Sequence, residues 1–227
     1  MKWFKWDSLS TLAVAMLATA VGFVIVAAVY AHDRIPEPVV DYYKNSVWLV
    51  SGIGKYGTTF HVSPTFLITN KHVVDGMKTA VISRSNSTIR AEVEVVAVSE
   101  VYDLALLHCA ACVDMNPVIP IIEDHWFELG EVSYGGGYAN ALLGIHQGHL
   151  QSFNYRNTRM VTNSHMAPGD SGGPEIVVEE DGQIRLAGVR SAVRQLESGL
   201  LVFHHGSLEP AGGVRGFLRR MEVPGYD

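Results

Sequence analysis

Three residues, taken in chain order, carry the groups that acyl transfer by a serine hydroxyl requires: His72, Asp103 and Ser171. Such chemistry needs a hydroxyl, a base to take its proton, a group to orient that base, and backbone N–H donors where negative charge develops on oxygen. Ser171 lies in Pro168-Gly169-Asp170-Ser171-Gly172-Gly173-Pro174. Glycine there permits positive φ and lets a substrate carbonyl come close. The N–H groups of Gly169 and Ser171 are expected to point into one concavity as an oxyanion hole. His72 follows an apolar run in Thr69-Asn70-Lys71-His72-Val73-Val74, at the start of a helical turn. Asp103 heads the apolar run Leu104-Ala105-Leu106-Leu107, where its flank would be buried. Each feature alone has a plain structural reading. The chain has ten histidines, an Asp at a strand start is commonly a turn residue, and a Gly-Asp-Ser-Gly-Gly turn can be an ordinary loop. The three together, in order, carry the case.

The elements that must position them read as strands. Val47–Val50, Thr58–Val62, Thr65–Thr69, Ala80–Ser83, Ile89–Val98 and Asp103–His108 form a first set of six, with a hairpin turning at Ser63-Pro64. Glu131–Tyr134, Leu142–Ser152, Arg159–Asn163, Pro174–Val178, Ile184–Val193 and Leu200–Phe203 form a second, and Val214–Met221 a short closing helix. Two groups of about six strands predict an all-β fold of two antiparallel barrels. The 22 glycines between short Val/Ile-rich runs agree with that.

At 227 residues the chain suits one domain with an appendage. A net charge of −6 with no long basic run gives nucleic acid no electrostatic hold. Charged residues make up only 18%, which argues against extended disorder. From Leu9 to Ala31 there is no charge, behind Lys2 and Lys5. Such a run is long enough to cross a hydrocarbon core of roughly 30 Å as a helix. Its length favours a retained signal anchor, while Val29-Tyr30-Ala31 loosely resembles a cleavage site of a signal peptide. The basic N-terminus would stay cytoplasmic and the body extracytoplasmic, with the membrane a partner through this helix. The expected organisation is an anchor or signal over 1–31, an extended linker over 32–42 containing Pro36 and Pro38, the main domain over 43–221, and a tail over 222–227.

The motifs resemble the trypsin/chymotrypsin superfamily of serine proteases over about Tyr43 to Met221. Gly169-Asp170-Ser171-Gly172-Gly173-Pro174 matches its nucleophile segment. Asn70-Lys71-His72-Val73-Val74 is similar to the Asn-x-His-Val-Val form of bacterial Deg/HtrA-type proteases, and Asp103-Leu104-Ala105-Leu106-Leu107 to the family's Asp-x-Ala-Leu-Leu segment. The order His, Asp, Ser fits this family. The resemblance implies a chymotrypsin-like fold, hydrolysis of protein or peptide substrates, His72 as general base, Asp103 orienting it, Ser171 attacking through an acyl-enzyme, and Asp170 shaping the oxyanion turn. No Ile-Val-Gly-Gly-like activation segment precedes Val47, so Asp170 is expected to find another partner. No PDZ domain is expected after the body.

By offset from Ser171, the resemblance puts His165 near the floor of the primary specificity pocket and Ser191, Ala192 and Val193 on its wall, flanked by Arg190 and Arg194. A floor without an acid argues against strict Arg/Lys cleavage. A loop histidine pointing elsewhere remains the other reading of His165. Cys109 and Cys112, the only cysteines, form Cys-Ala-Ala-Cys. A zinc site needs more ligands than this pair supplies, so no metal or cofactor is expected and a local disulfide is the plain reading, with free thiols next. A catalytically silent protease-fold module that binds peptides is the competing function, and an esterase-like hydrolase is disfavoured by motif order.

Overall fold

The computed structural model describes residues 34–84, 88–123, 127–153, 160–195 and 201–226, with backbone alone at 152–153, 192–195 and 201–206. The run from Leu9 to Ala31 lies outside these residues. No helix among those described is long and apolar enough to cross a membrane.

Alternating apolar residues build the first barrel. In β5 (Arg90–Val98), Ala91 and Val93 turn inward while Glu92 and Glu94 face water, as period-two side chains must. A bulge between Val95 and Ala97 shifts the pairing with β6, and Val96 and Val98 continue the exposed outer face. Strands β1 (Val47–Gly52), β2 (Lys55–His61), β3 (Phe66–Thr69), β4 (Thr79–Ser83), β5 and β6 (Ala105–His108) close antiparallel in the order β1-β2-β3-β6-β5-β4. Trp48, Val50, Leu67, Ile82, Val93 and Leu107 pack inside.

The second barrel closes as β10-β11-β12-β9-β8-β7, from β7 (Val132–Ala139), β8 (Leu142–Phe153), β9 (Met160–Thr162), β10 (Pro174–Val178), β11 (Ile184–Gln195) and β12 (Leu201–Pro210). Its core includes Leu150, Met160, Met166, Val177, Ala187 and Leu208. Closure leaves neither sheet a free edge. The all-β architecture of two six-stranded antiparallel barrels is therefore as the strand pattern predicts.

Two expectations change. The stretch taken as extended linker gives way to helix α1 (Glu37–Ser46) from Glu37 onward. Pro38 suggested a break, but a helix tolerates proline in its first turn, where N–H groups lack intrahelical partners. Val39, Tyr42, Tyr43 and Ser46 then bury one face, and the Tyr43 hydroxyl donates to the carbonyls of Tyr134 (2.9 Å) and Pro174 (2.8 Å). The closing residues, set apart as a tail, pack on the body. Val223 is buried, and the Tyr226 hydroxyl donates to the Val62 carbonyl at 2.8 Å. They follow helix α3 (Ala211–Arg220), whose Val214, Phe217 and Leu218 face inward. The compact unit runs Glu37–Asp227. Cys109 and Cys112 are disulfide-bonded, at the turn that leaves β6.

Candidate active site

The site draws two side chains from each barrel. β3 ends at Thr69, and buried Asn70 turns the chain into the short helix α2 (Lys71–Val74). Val73 and Val74 anchor that helix in the first core, which leaves His72 half exposed above it. Asp103 precedes buried Leu104 at the mouth of β6. The Asn70 amide donates to the Asp103 carbonyl at 2.8 Å and so fixes the aspartate's backbone beside the helix.

The two side chains then meet twice. The His72 backbone N–H donates to Asp103 Oδ1 at 3.0 Å, and His72 Nδ1 lies 2.7 Å from Oδ2. A carboxylate only accepts, so Nδ1 carries the proton and Nε2 presents a lone pair. The Ser191 hydroxyl, from β11, also donates to Oδ2, at 2.8 Å. Burial by itself would raise the Asp103 carboxyl. The hydrogen bonds and charge of His72, with the bond from Ser191, outweigh it and hold the group below its ordinary value.

Ser171 sits between β9 and β10 in a turn tied from several sides. Thr58, from β2, donates its backbone N–H to the Ser171 carbonyl (2.7 Å) and its hydroxyl to the Gly169 carbonyl (2.7 Å). Gly172 N–H donates to the Arg190 carbonyl (2.8 Å) and Gly173 N–H to the Asp170 carbonyl (2.9 Å). Gly169 has φ +102°, a region side chains avoid, and a Cβ there would strike the Tyr138 carbonyl. Within this turn the amides of Asp170, Gly172 and Gly173 are used in backbone bonds. Among the described residues those of Gly169 and Ser171 have no backbone acceptor, as a pair of donors facing an incoming oxygen requires. The Ser171 hydroxyl donates to the Ser191 carbonyl at 3.3 Å. Ser191 thus touches both Asp103 and Ser171.

The expected specificity residues divide. The Ser191 hydroxyl donates to the Asp103 carboxylate. The side chains of Ala192 and Val193 lie outside the described residues, and their backbone continues β11 past a bulge. His165 packs its ring edge-on against His146, centroids 5.0 Å apart, and its carbonyl accepts from Arg190. Burial, then Arg190 and His165, push the His146 imidazole below its ordinary value, against the opposing pull of Asp170. Among the described residues no three His, Cys, Asp or Glu side chains could together hold a metal ion.

Sequence reasoning missed the contacts of Asn70 and Ser191, His146, and a buried ion pair of Arg190 with Glu175. A signal for the last was present. Glu175 is the one charge in β10 and Arg190 interrupts the largely apolar run 186–193 of β11, and opposite charges in such settings have to find each other.

Two closed six-stranded barrels with this constellation between them define a trypsin-like serine protease fold. A family model described as a trypsin-like peptidase domain matches residues 57–184, more than half of the chain, and the chain belongs to that family. No curated protein matches it in sequence. Solved structures share its fold at low identity. Rv3671c protease from M. tuberculosis is 22% identical in its inactive form, with a TM-score of 0.66 over 82% of this chain and 93% of that one. Its active form is 21% identical, with a TM-score of 0.65 over 80% and 83%. A serine endoprotease from Yersinia pestis is 19% identical, with a TM-score of 0.65 over 85% and 69%.

Proposed function

We propose that the protein is a serine endopeptidase in which Ser171 is the nucleophile, His72 its base and Asp103 the group that orients the base. The observation that carries this reading is the double contact of His72 on Asp103, which puts the Nδ1 proton on the carboxylate and leaves Nε2 as the acceptor. Ser171 Oγ attacks the scissile carbonyl as its proton passes to Nε2. The Gly169 and Ser171 amides receive the developing oxyanion. The imidazolium returns the proton to the leaving amine, the acyl group stays on Oγ, and a water deprotonated by the same Nε2 releases it.

One contact favours the competing reading of a silent peptide-binding module: Ser171 Oγ rests on the Ser191 carbonyl, not on His72. Rotation about one Cα–Cβ bond releases it, and catalytic hydrogen bonds are often loose until substrate arrives. The substrate is a protein or peptide, and the resemblance, with no acid at His165, disfavours a basic residue before the cleaved bond. The uncharged run Leu9–Ala31 supports a membrane tether with the protease body on the extracytoplasmic side.

Hydrolysis of a fluorogenic peptide library by the purified chain tests the proposal. We expect turnover that Ser171→Ala removes. A folded chain without turnover, or turnover that survives Ser171→Ala, would reject it.

A further inference from the structure

A buried carboxylate needs a partner, and Asp170 is buried in the middle of the nucleophile turn. Its Oδ2 accepts the Ala167 N–H at 2.9 Å and lies 3.6 Å from Arg190 Nη2. Arg190 has no exposed surface at all. Its Nη1 donates to Ser164 Oγ and to Glu175 Oε2, each at 3.0 Å, and its Nη2 donates to the His165 carbonyl. Glu175 is closed off by the hydroxyls of Ser133 (2.6 Å), Thr162 (2.9 Å) and Ser164 (2.9 Å). The room for this cluster comes from Gly135, where a Cβ would overlap both the guanidinium and the Glu175 carboxylate.

One side chain therefore reaches the limb entering the turn at residues 164–165, the turn itself at Asp170, and the strand leaving it at Glu175. Its backbone does the same work a second time: Arg190 N–H donates to the Gly173 carbonyl at 2.8 Å and its carbonyl accepts Gly172 N–H. The next residue, Ser191, joins the turn to Asp103. The planar fork of arginine can serve several acceptors at once, which an ammonium cannot do in the same geometry.

We propose that Arg190 is the positioning residue of the oxyanion turn: an internal cation, held by Glu175, that meets Asp170 and keeps Gly169 and Ser171 in their donor geometry. This supplies the partner that Asp170 needs without an activation segment, so the turn is set by folding alone. The inference rests on the serine endopeptidase reading for its effect on rate, and on the structure alone for its effect on the turn.

The test pairs Arg190→Met with Glu175→Gln in one chain, so that Glu175 does not add a second unmatched carboxylate to Asp170, and places Arg190→Lys beside it. Amide hydrogen exchange at Asp170, Gly172 and Gly173 reads the turn with or without activity. Steady-state kinetics on a fluorogenic peptide reads the rate, and the Nδ1 proton resonance of His72 reads the His72–Asp103 pair. We expect exchange in the turn to quicken at least about tenfold while core strands keep their protection. We expect kcat to fall by about 10²–10³, the usual consequence of a lost oxyanion donor, with KM within about fivefold and the His72 proton resonance in place. Arg190→Lys should show the same signs at smaller size. Unchanged exchange in the turn, or kcat within about threefold of the parent in both variants, would overturn the proposal. Should the parent chain hydrolyse nothing while the turn loosens as described, the positioning role stands and the endopeptidase reading falls. A double variant that does not fold leaves Arg190→Lys, which keeps the charge, to decide between these results.

Discussion

At the scale of single residues, Asp103 does two things with one carboxylate. It holds His72 through both oxygens, Oδ1 on the backbone N–H and Oδ2 on the imidazole, and receives a third bond from Ser191. Asp103→Asn keeps the size but offers His72 a donor where it needs an acceptor, which favours the wrong tautomer. We expect kcat to fall by roughly 10³–10⁴, measured on a peptide substrate at neutral pH. Ser191→Ala removes one charge-assisted bond and leaves the others, so a loss of about tenfold in kcat/KM is expected. A Ser191→Ala chain with unchanged kinetics would show that this hydroxyl only fills space. The depressed Asp103 carboxyl also fixes a sign. Its contribution to stability is complete above the ordinary carboxylate value of 3.8 and is lost as pH falls through its lower folded value.

Among the elements, the turn from Gly169 to Gly173 and the bridge after β6 carry separate tests. Gly169→Ala forces a side chain into positive φ and against the Tyr138 carbonyl. We expect it to cost at least about 1 kcal/mol in denaturant unfolding and to reduce kcat by about 10²–10³ through its displaced amide. The Cys109–Cys112 bridge closes a very short loop, so chain entropy assigns it only about 2 kcal/mol. Double replacement by alanine should lower Tm by roughly 4–8 °C and leave the His72–Asp103 pair intact. The strands were legible because inward Val, Leu and Ile alternate with outward Glu, Thr and Lys, a pattern that survives without knowing any partner strand. The order and segments of His72, Asp103 and Ser171 were legible for a similar reason: each sits at the end of an apolar strand, flanked by residues with distinctive turn chemistry. What stayed hidden depended on distant pairing. Glu175 meets Arg190 because β10 pairs with β11, and Ser191 meets Asp103 across the two barrels. Helix α1 was hidden because Pro36 and Pro38 read as breakers, whereas tertiary burial of Tyr42 and Tyr43 secures it.

For the whole molecule, the clearest pH dependence comes from a residue away from the site. His61 is buried in the first barrel beside Trp48, with Nδ1 on the Ser63 carbonyl and, among the described residues, no partner at Nε2. Burial, aided by the charge of Arg84 and opposed by the bond to Ser63, lowers it to about 4. The unfolded chain binds a proton at its ordinary value of 6.5 and the folded chain does not. Stability from this group is therefore complete above pH 6.5 and is lost as pH falls toward 4, by about 3 kcal/mol in total. A His61→Leu chain should show a flatter decline in unfolding free energy over that window than its parent. Equal slopes would remove His61 as the cause.

The central claim is that Ser171 is an activated nucleophile with His72 as its base. A fluorophosphonate probe tests it most directly, because stable phosphonylation requires both an activated hydroxyl and an oxyanion site. Incubation of the folded chain followed by peptide mass spectrometry should place one probe on Ser171, with labelling abolished in Ser171→Ala and reduced by at least about 10³-fold in His72→Ala. No adduct on the folded parent chain, or an adduct on Ser171 that forms equally fast in His72→Ala, would contradict it.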